Sequence, residues 1–412
     1  TNFVSGEISF ITQALAAVLQ LAVTMDYSIF LWHSYQENQE RFPGDKKRAM
    51  AHAISNTVSS VVASSVTTVA GFVAMCFMTF TLGLDLGIVM AKGVVLGVLC
   101  CVTVLPAMIL TFDGALEKTR HRALIPKFDK MGTFATRKFP IFLVLFVVIL
   151  IPAVYGYRNT NVYYDLAGTL PADLESVQAN NKLEEDFNMG ATHIILASSD
   201  LSHKDASNMI DEINDLDGVA VALGKDAILG PAVPQEMLPA DVKDMLDNGA
   251  LAFITYDGHV NAQCDAIKEI IKRYDPTAML IGEAPCTEDL ITITDKDFKT
   301  VSAVSIILVF LIIAISLKSI SIPAILVAVI AVGIFINMGI PHYTGSVLPF
   351  IASIVIGTIQ LGATVDYAIL TTNKYKRARN SGAGKQEAIE TAMHSCLPSV
   401  FVSALSFFAA TF

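Results

Sequence analysis

Charge is what this chain has least of. Asp, Glu, Lys and Arg make up 16% of its 412 residues, against 53% hydrophobic residues. Soluble globules carry about 25% charged and 45 to 50% apolar residues, so a soluble fold is excluded and a membrane protein is indicated. Metal and nucleotide signatures are lacking as well. The six cysteines show neither a Cys-x-x-Cys pair nor the Cys/His spacing of a zinc site. Cys76, Cys100, Cys101 and Cys396 lie in apolar stretches, as small packing residues do. Cys264 and Cys286 lie in a polar segment and could pair if it faces an oxidising space. The stretch "SGAGKQ" at 381–386 lacks the first Gly of a P-loop, the Ser or Thr after Lys, and a preceding strand. No cofactor, catalytic centre, metal site or nucleic-acid partner is therefore expected. A signal peptide and an initiator Met are missing too: Thr1 to Glu7 is polar, an apolar run starts at Ile8, and the chain stops inside "SVFVSALSFFAATF". Both ends are expected to be truncated.

What is present is apolar sequence in spanning lengths of about 20 residues. Such runs fall near 8–32, 53–80, 84–112, 139–157, 300–317, 321–340, 347–372 and 387–412. Lys and Arg collect in cytoplasmic loops, and "ERFPGDKKR" at 40–48, "EKTRHRALIPKFDKMGTFATRK" at 117–138 and "NKYKRARNSGAGK" at 373–385 fall on one side when eight spans are counted. Residues 158–297 hold 26 acidic and nine basic residues, net −17, leaving +7 for the remainder of a chain of net charge −10. The expected organisation is three spans within 1–112, a basic cytoplasmic linker at 113–138, a span at 139–157, an extracytoplasmic domain at 158–298 and four spans within 299–412.

The acidic segment has its own pattern. "THIILASS" and "GVAVALG" read as strands flanking the helix "HKDASNMIDEIND", and "LAFITYD" and "TAMLIGEA" flank "VNAQCDAIKEIIKRY". Strand-helix-strand twice over is the order of a ferredoxin-like α+β unit. Between the two lies an insertion, "KDAILGPAVPQEMLPADVKDMLDNG", with Pro-marked breaks and one short expected helix. Its carboxylates read as a solvated face rather than a cation site.

Two short stretches break the apolar pattern in the same way, "TMDYSIF" at 24–30 and "TVDYAIL" at 364–370. A carboxylate near a bilayer centre costs about 2.5 to 3.5 kcal/mol on insertion scales, so each Asp needs a reason. "QLAVTMDYSIFLWHSY" aligns with "QLGATVDYAILTTNKY", and removing one loop residue then pairs Ala49 with Ala388, Ala53 with Ala392, Ser60 with Ser399 and Ser64 with Ser403. The membrane part is read as duplicated. The copies begin five spans apart with the acidic domain between them, so both point the same way, the parallel-repeat arrangement of a transporter. Each Asp is followed by a Tyr whose phenol can bond a carboxyl group on a facing helix, and a carboxyl group that exchanges a proton is what a proton-driven carrier requires. The competing reading is that Asp26, Tyr27, Asp366 and Tyr367 hold helices together. Thr24, Thr364, Ser64 and Lys92 are candidate supports of a relay. Gly83, Gly87, Gly93, Gly97 and Ala91 give small-residue spacing for close helix approach. The hydroxyls from Ser55 to Thr68 could extend a proton path or bond neighbouring helices.

These two helix ends, each followed by a basic loop and a Ser-rich helix, together with "LGLDLGIVMAKGVVLGVLCCVTVLPAMILTFD", resemble the resistance-nodulation-division (RND) superfamily, and within it the MMPL-type lipid and drug exporters. The resemblance implies twelve spans in two halves, of which this chain holds the fourth to the eleventh, with Asp26 and Asp366 on the fourth and tenth. It implies a proton relay at Asp26, Tyr27, Asp366 and Tyr367, driven by the proton gradient. It also implies an extracytoplasmic porter domain, a bacterial plasma-membrane location, a lipid or hydrophobic substrate and a state between monomer and trimer. Drug-efflux relatives carry two adjacent acids on the fourth span and a Lys on the tenth; here Met25 precedes Asp26, and Asp366 is no Lys. A sterol-sensing, receptor-like relative without transport and a proton-coupled helper of protein secretion are the alternatives.

Overall fold

A computed structural model of the chain describes residues 8–119, 131–164, 170–187, 192–198, 200–224, 250–256 and 260–411. The insertion at 225–249, with its expected short helix, lies outside the described residues, as does the middle of the basic linker. The helices are α1 Phe10–Arg41, α2 Lys46–Met75, α3 Thr81–Lys118, α4 Met131–Arg137, α5 Phe139–Arg158, α6 Glu175–Phe187, α7 His203–Asn214, α8 Val260–Tyr274, α9 Glu283–Leu317, α10 Ser321–Thr344, α11 Phe350–Asn380 and α12 Lys385–Thr411. The chain divides into a membrane unit, up to Val162 and again from Asp295, and a smaller unit, Tyr163–Thr294.

Among the described residues eight helices are long and apolar enough to cross a membrane: α1, α2, α3, α5, α9, α10, α11 and α12. The shortest, α5, has 20 residues, about 30 Å at 1.5 Å per residue, which matches a hydrocarbon core. Phe142, Leu143, Val144, Val147 and Val148 of α5 are exposed; an apolar surface of this extent is covered by lipid in an integral membrane protein. Helix starts follow local chemistry. Ser9 caps α1 by accepting the Ile11 N–H at 3.3 Å, and Asp45 caps α2 by accepting that of Arg48 at 3.0 Å. Gly345, at φ +70°, ends α10 in the left-handed conformation that glycine adopts without strain.

Helix ends depart from the apolar runs. The run at 53–80 suggested one span, but α2 stops at Met75, and the following turn is held by Asp297 of α9, whose two carboxylate oxygens accept the Thr79 and Phe80 N–H groups at 2.9 Å each. Helix α1 continues to Arg41, α11 to Asn380, and α9 starts at Glu283, because Gln, Glu, Lys and Arg are good helix formers that an apolar window does not register.

Within the membrane unit α2 lies against α1, α3 and α11, while α12 lies against α11 and α1. Each Ser-rich helix thus packs on both Asp-bearing helices. The core between them contains Val23, Tyr27, Leu31, Phe72, Met75, Met90 and Val355. Helices α5 and α10 cross where Gly156 meets Gly339: a Cβ on Gly156 would stand 2.8 Å from the Gly339 carbonyl oxygen, so glycine permits the close approach.

The smaller unit contains β1 Thr192–Ala197, β2 Val219–Leu223, β3 Ala250–Tyr256 and β4 Met279–Gly282 in the order β2-β3-β1-β4, all neighbours antiparallel. With α7 after β1 and α8 after β3, this is the split βαβ topology of a ferredoxin-like unit. Ile195 and Ala197 of β1 are buried against Ile210 and Ile213 of α7 and Ile267 and Ile271 of α8. Helix α6 was not anticipated from the sequence, where its few apolar residues, Val177, Ala179, Leu183 and Phe187, are outnumbered by polar ones. Cys264 is buried in α8 and Cys286 is exposed at the start of α9.

Candidate functional site

The two intramembrane Asp residues sit where the four reciprocally packed helices meet. Asp26 of α1 and Asp366 of α11 are each 3% exposed, and Tyr27 is fully buried. The Tyr367 hydroxyl donates to Asp26 Oδ2 at 2.6 Å, so a phenol of α11 reaches the carboxylate of α1. Ser403 of α12 donates to Asp26 Oδ1 and lies 2.6 Å from the Tyr367 oxygen. Both carboxylate oxygens of Asp26 are therefore engaged, as a buried charge-bearing group requires.

The Asp366 side is arranged differently. Thr68 of α2 donates to Asp366 Oδ2 at 3.3 Å, and its oxygen also lies 3.3 Å from the Gly362 carbonyl. Tyr27 and Asp366 both face Ser64 and Thr68. The Tyr27 hydroxyl, Ser64 Oγ and Asp366 Oδ1 are buried and close no hydrogen bond among the described residues. One Asp-Tyr-Ser set is joined and its counterpart is open.

The remaining sequence candidates occupy varied positions. Thr24 donates to the Gln20 carbonyl at 2.7 Å and Thr364 to that of Gln360 at 2.5 Å, so each serves its own helix at matching places. Lys92 is exposed on α3, outside the cluster. Thr57, Ser65 and Thr67 donate to carbonyls of Ala53, Val62 and Ala63 along α2, whereas Ser64 and Thr68 lie beside Asp366. Gly83 and Gly87 abut the Met75 and Phe72 carbonyls, and Gly93 and Gly97 abut Gln20 and Thr24, contacts that any Cβ would obstruct. Sequence reasoning did not single out Ser403 or Thr68 as carboxylate donors; Thr68 stood only among the α2 hydroxyls that could extend a proton path. The repeat alignment contained a signal for Ser403, because it pairs that residue with Ser64; Thr68 aligns with Phe407 and had none.

A second polar cluster lies near the basic end of the same bundle. Asp113 of α3, 6% exposed, accepts from the Tyr35 hydroxyl at 3.1 Å and from Gln39 at 3.4 Å, and pairs with Lys46. It fastens α1, α2 and α3 together. Among the described residues no group of three or more His, Cys, Asp or Glu side chains is placed to hold a metal ion.

The chain is 24% identical over 400 residues to the Streptomyces coelicolor protein SCO5905, covering 89% of this chain and 45% of that protein. It is 21% identical over 439 residues to the membrane protein YdfJ of Bacillus subtilis, covering 97% of this chain and 57% of YdfJ. A stretch of 93 residues is 36% identical to the Methanocaldococcus jannaschii protein MJ1562, covering 22% of this chain and 24% of that one. The chain thus spans about half the length of the two relatives that it matches throughout. The model of the MMPL family matches residues 2–138 and 168–412, and this integral, multi-pass helical membrane protein belongs to that family.

Proposed function

We propose that this chain forms the membrane core of a proton-driven exporter of lipids or other hydrophobic molecules, with Asp26, Tyr27, Asp366 and Tyr367 as its proton relay. The observation that carries the reading is the hydrogen bond from Tyr367 to Asp26, 2.6 Å long and linking residues of the two copies. A proton arriving at Asp26 removes the charge that Tyr367 and Ser403 stabilise. Those contacts weaken, α11 and α12 move against α1, and the open set of Tyr27, Ser64 and Asp366 closes in turn. The reciprocal packing of the Ser-rich helices supports such an exchange, since motion at one carboxylate is transmitted to the helices that line the other. A charge crossing the membrane potential yields about 2.3 kcal/mol per 100 mV, so one or two protons supply a conformational step of several kcal/mol.

In this reading the basic loops are cytoplasmic and the unit from Tyr163 to Thr294 is an extracytoplasmic porter domain that hands the substrate on. The location is a bacterial plasma membrane, where a proton gradient is maintained. Asp26→Asn and Asp366→Asn in the full-length protein test the relay. Each is expected to abolish export and proton uptake while leaving the protein folded. Unchanged export in both would sink the relay and favour a receptor-like relative in which the polar groups only hold helices. Mass spectrometry of molecules co-purifying with the full-length protein tests the substrate class, with polypeptide in place of lipid favouring a secretion helper.

A further inference from the structure

The two carboxylates differ in what lies beyond them toward the basic helix ends. On α1, Asp26, Phe30, His33 and Glu37 are spaced at four, three and four residues, which places them along one helix face. His33 stands about 10 Å and Glu37 about 16 Å farther along the axis than Asp26. On α11, Tyr367, Thr371 and Lys374 form the facing stripe, and on α12 the sequence from Ser403 back through Ser399 to Cys396 forms a third. Contacts join the stripes at both levels. At the carboxylate they are the Tyr367 and Ser403 bonds to Asp26. Nearer the basic ends, Glu37 pairs with Lys374 at 3.6 Å, His33 neighbours Glu37, and buried Cys396 lies beside Thr371 and Lys374. Between the levels Phe30, 8% exposed, meets the Tyr367 ring edge-on with centroids 6.4 Å apart.

Asp366 has no such continuation. The residues at the matching steps along α11 are Leu370, Asn373 and Arg377, and Ser34 takes the place of Lys374. Neither an amide nor a guanidinium gives up a proton in a protein. Asp113, paired with Lys46, accepts from Tyr35, which lies two residues after His33 and therefore about 200° around the helix.

We propose that His33 is the proton acceptor that empties the Asp26 site toward the cytoplasm, with Glu37 as the outlet and Phe30 as the barrier between them and Asp26. This rests on the proton-relay reading above. When the Phe30 and Tyr367 rings part, water bridges the gap. The Asp26 carboxylic acid passes its proton along that bridge to the neutral imidazole, giving carboxylate and imidazolium. The imidazolium then passes a proton to the Glu37 carboxylate, and from there to cytoplasmic water, restoring both groups. The Asp26 set is then the releasing site, and the Asp366 set exchanges its proton with the other side or with Asp26.

The test uses the full-length protein in phosphatidylethanolamine–phosphatidylglycerol vesicles, oriented with the basic loops inside and containing a pH-sensitive dye. The outside is acidified under a potassium–valinomycin clamp. Wild type is expected to acidify the lumen, and Asp26→Asn to show only the lipid leak. His33→Asn, which copies Asn373, and His33→Gln are expected to slow acidification about tenfold or more, whereas His33→Glu, which keeps a titratable group, stays within about threefold of wild type. A packing role for His33 would not be restored by Glu. Wild-type rates in His33→Asn, with Asp26→Asn inactive, would overturn the outlet and leave the relay standing. Wild-type flux no greater than that of Asp26→Asn would overturn the relay itself.

Discussion

Tyr367 supplies the Asp26 site with both a ring and a hydroxyl, and the two can be separated. The ring packs edge-on against Phe30, and the hydroxyl bonds Asp26 and neighbours Ser403. Tyr367→Phe keeps the first and removes the second. A hydrogen bond to a charged group contributes about 1.5 to 3 kcal/mol, so the variant is expected to fold normally and to lose roughly 10- to 100-fold in proton-coupled rate, measured in the same vesicles. The Asp and Tyr residues were legible in the sequence because a carboxylate in an apolar run is costly and its recurrence at a matching place is hard to attribute to packing. Thr68 was not legible. Hydroxyls occur all along α2, and which of them face a carboxylate depends on the rotation of the helix, for which an evenly hydroxylated sequence offers no clue.

At the scale of elements, the turn between α2 and α3 shows how one distant side chain can set a helix boundary. Cys76 to Phe80 is apolar enough to continue the span, yet the N–H groups of Thr79 and Phe80 leave the helix and bind Asp297, itself 2% exposed. Asp297→Ala leaves two N–H groups without their acceptor, at about 1 to 3 kcal/mol each. The expected result is a lower melting temperature of the detergent-solubilised protein, with Asp297→Asn falling between the alanine variant and wild type because the amide retains one acceptor. Equal melting temperatures would show that the turn finds other acceptors. The helical and strand segments of the smaller unit were legible from their alternating and helical periods, whereas α6, whose narrow apolar stripe of Ala179, Leu183 and Phe187 is set in a mostly polar stretch, was not.

At the scale of the whole molecule, the two units answer to different solvents. In the smaller unit Asp275 is a carboxylate held by three donors. The N–H groups of Ser198 and Thr277 donate to it at 2.7 and 2.8 Å and the Thr277 hydroxyl at 2.6 Å. The backbone donor of Ser198, followed by the Thr277 hydroxyl, holds its pKa below the ordinary carboxylate range. Its folded pKa is depressed, so its contribution to stability is full above the unfolded value of about 3.9 and is lost as pH falls through the folded one. Hydrogen exchange at residues 192–198, compared at each pH between wild type and Asp275→Asn, is expected to show greater protection in wild type at neutral pH, with the difference closing as the solution is acidified below the usual carboxylate range. What the sequence by itself determined was which segments enter the membrane, that a polar α+β unit interrupts them, and which residues violate the apolar rule. Those are local properties, set by the transfer free energy and periodicity of each stretch. Only the tertiary structure decided that Tyr367 bonds Asp26 while the Tyr27 hydroxyl closes no hydrogen bond to Asp366, because that pairing joins residues 341 positions distant and depends on how the four helices are rotated and interleaved.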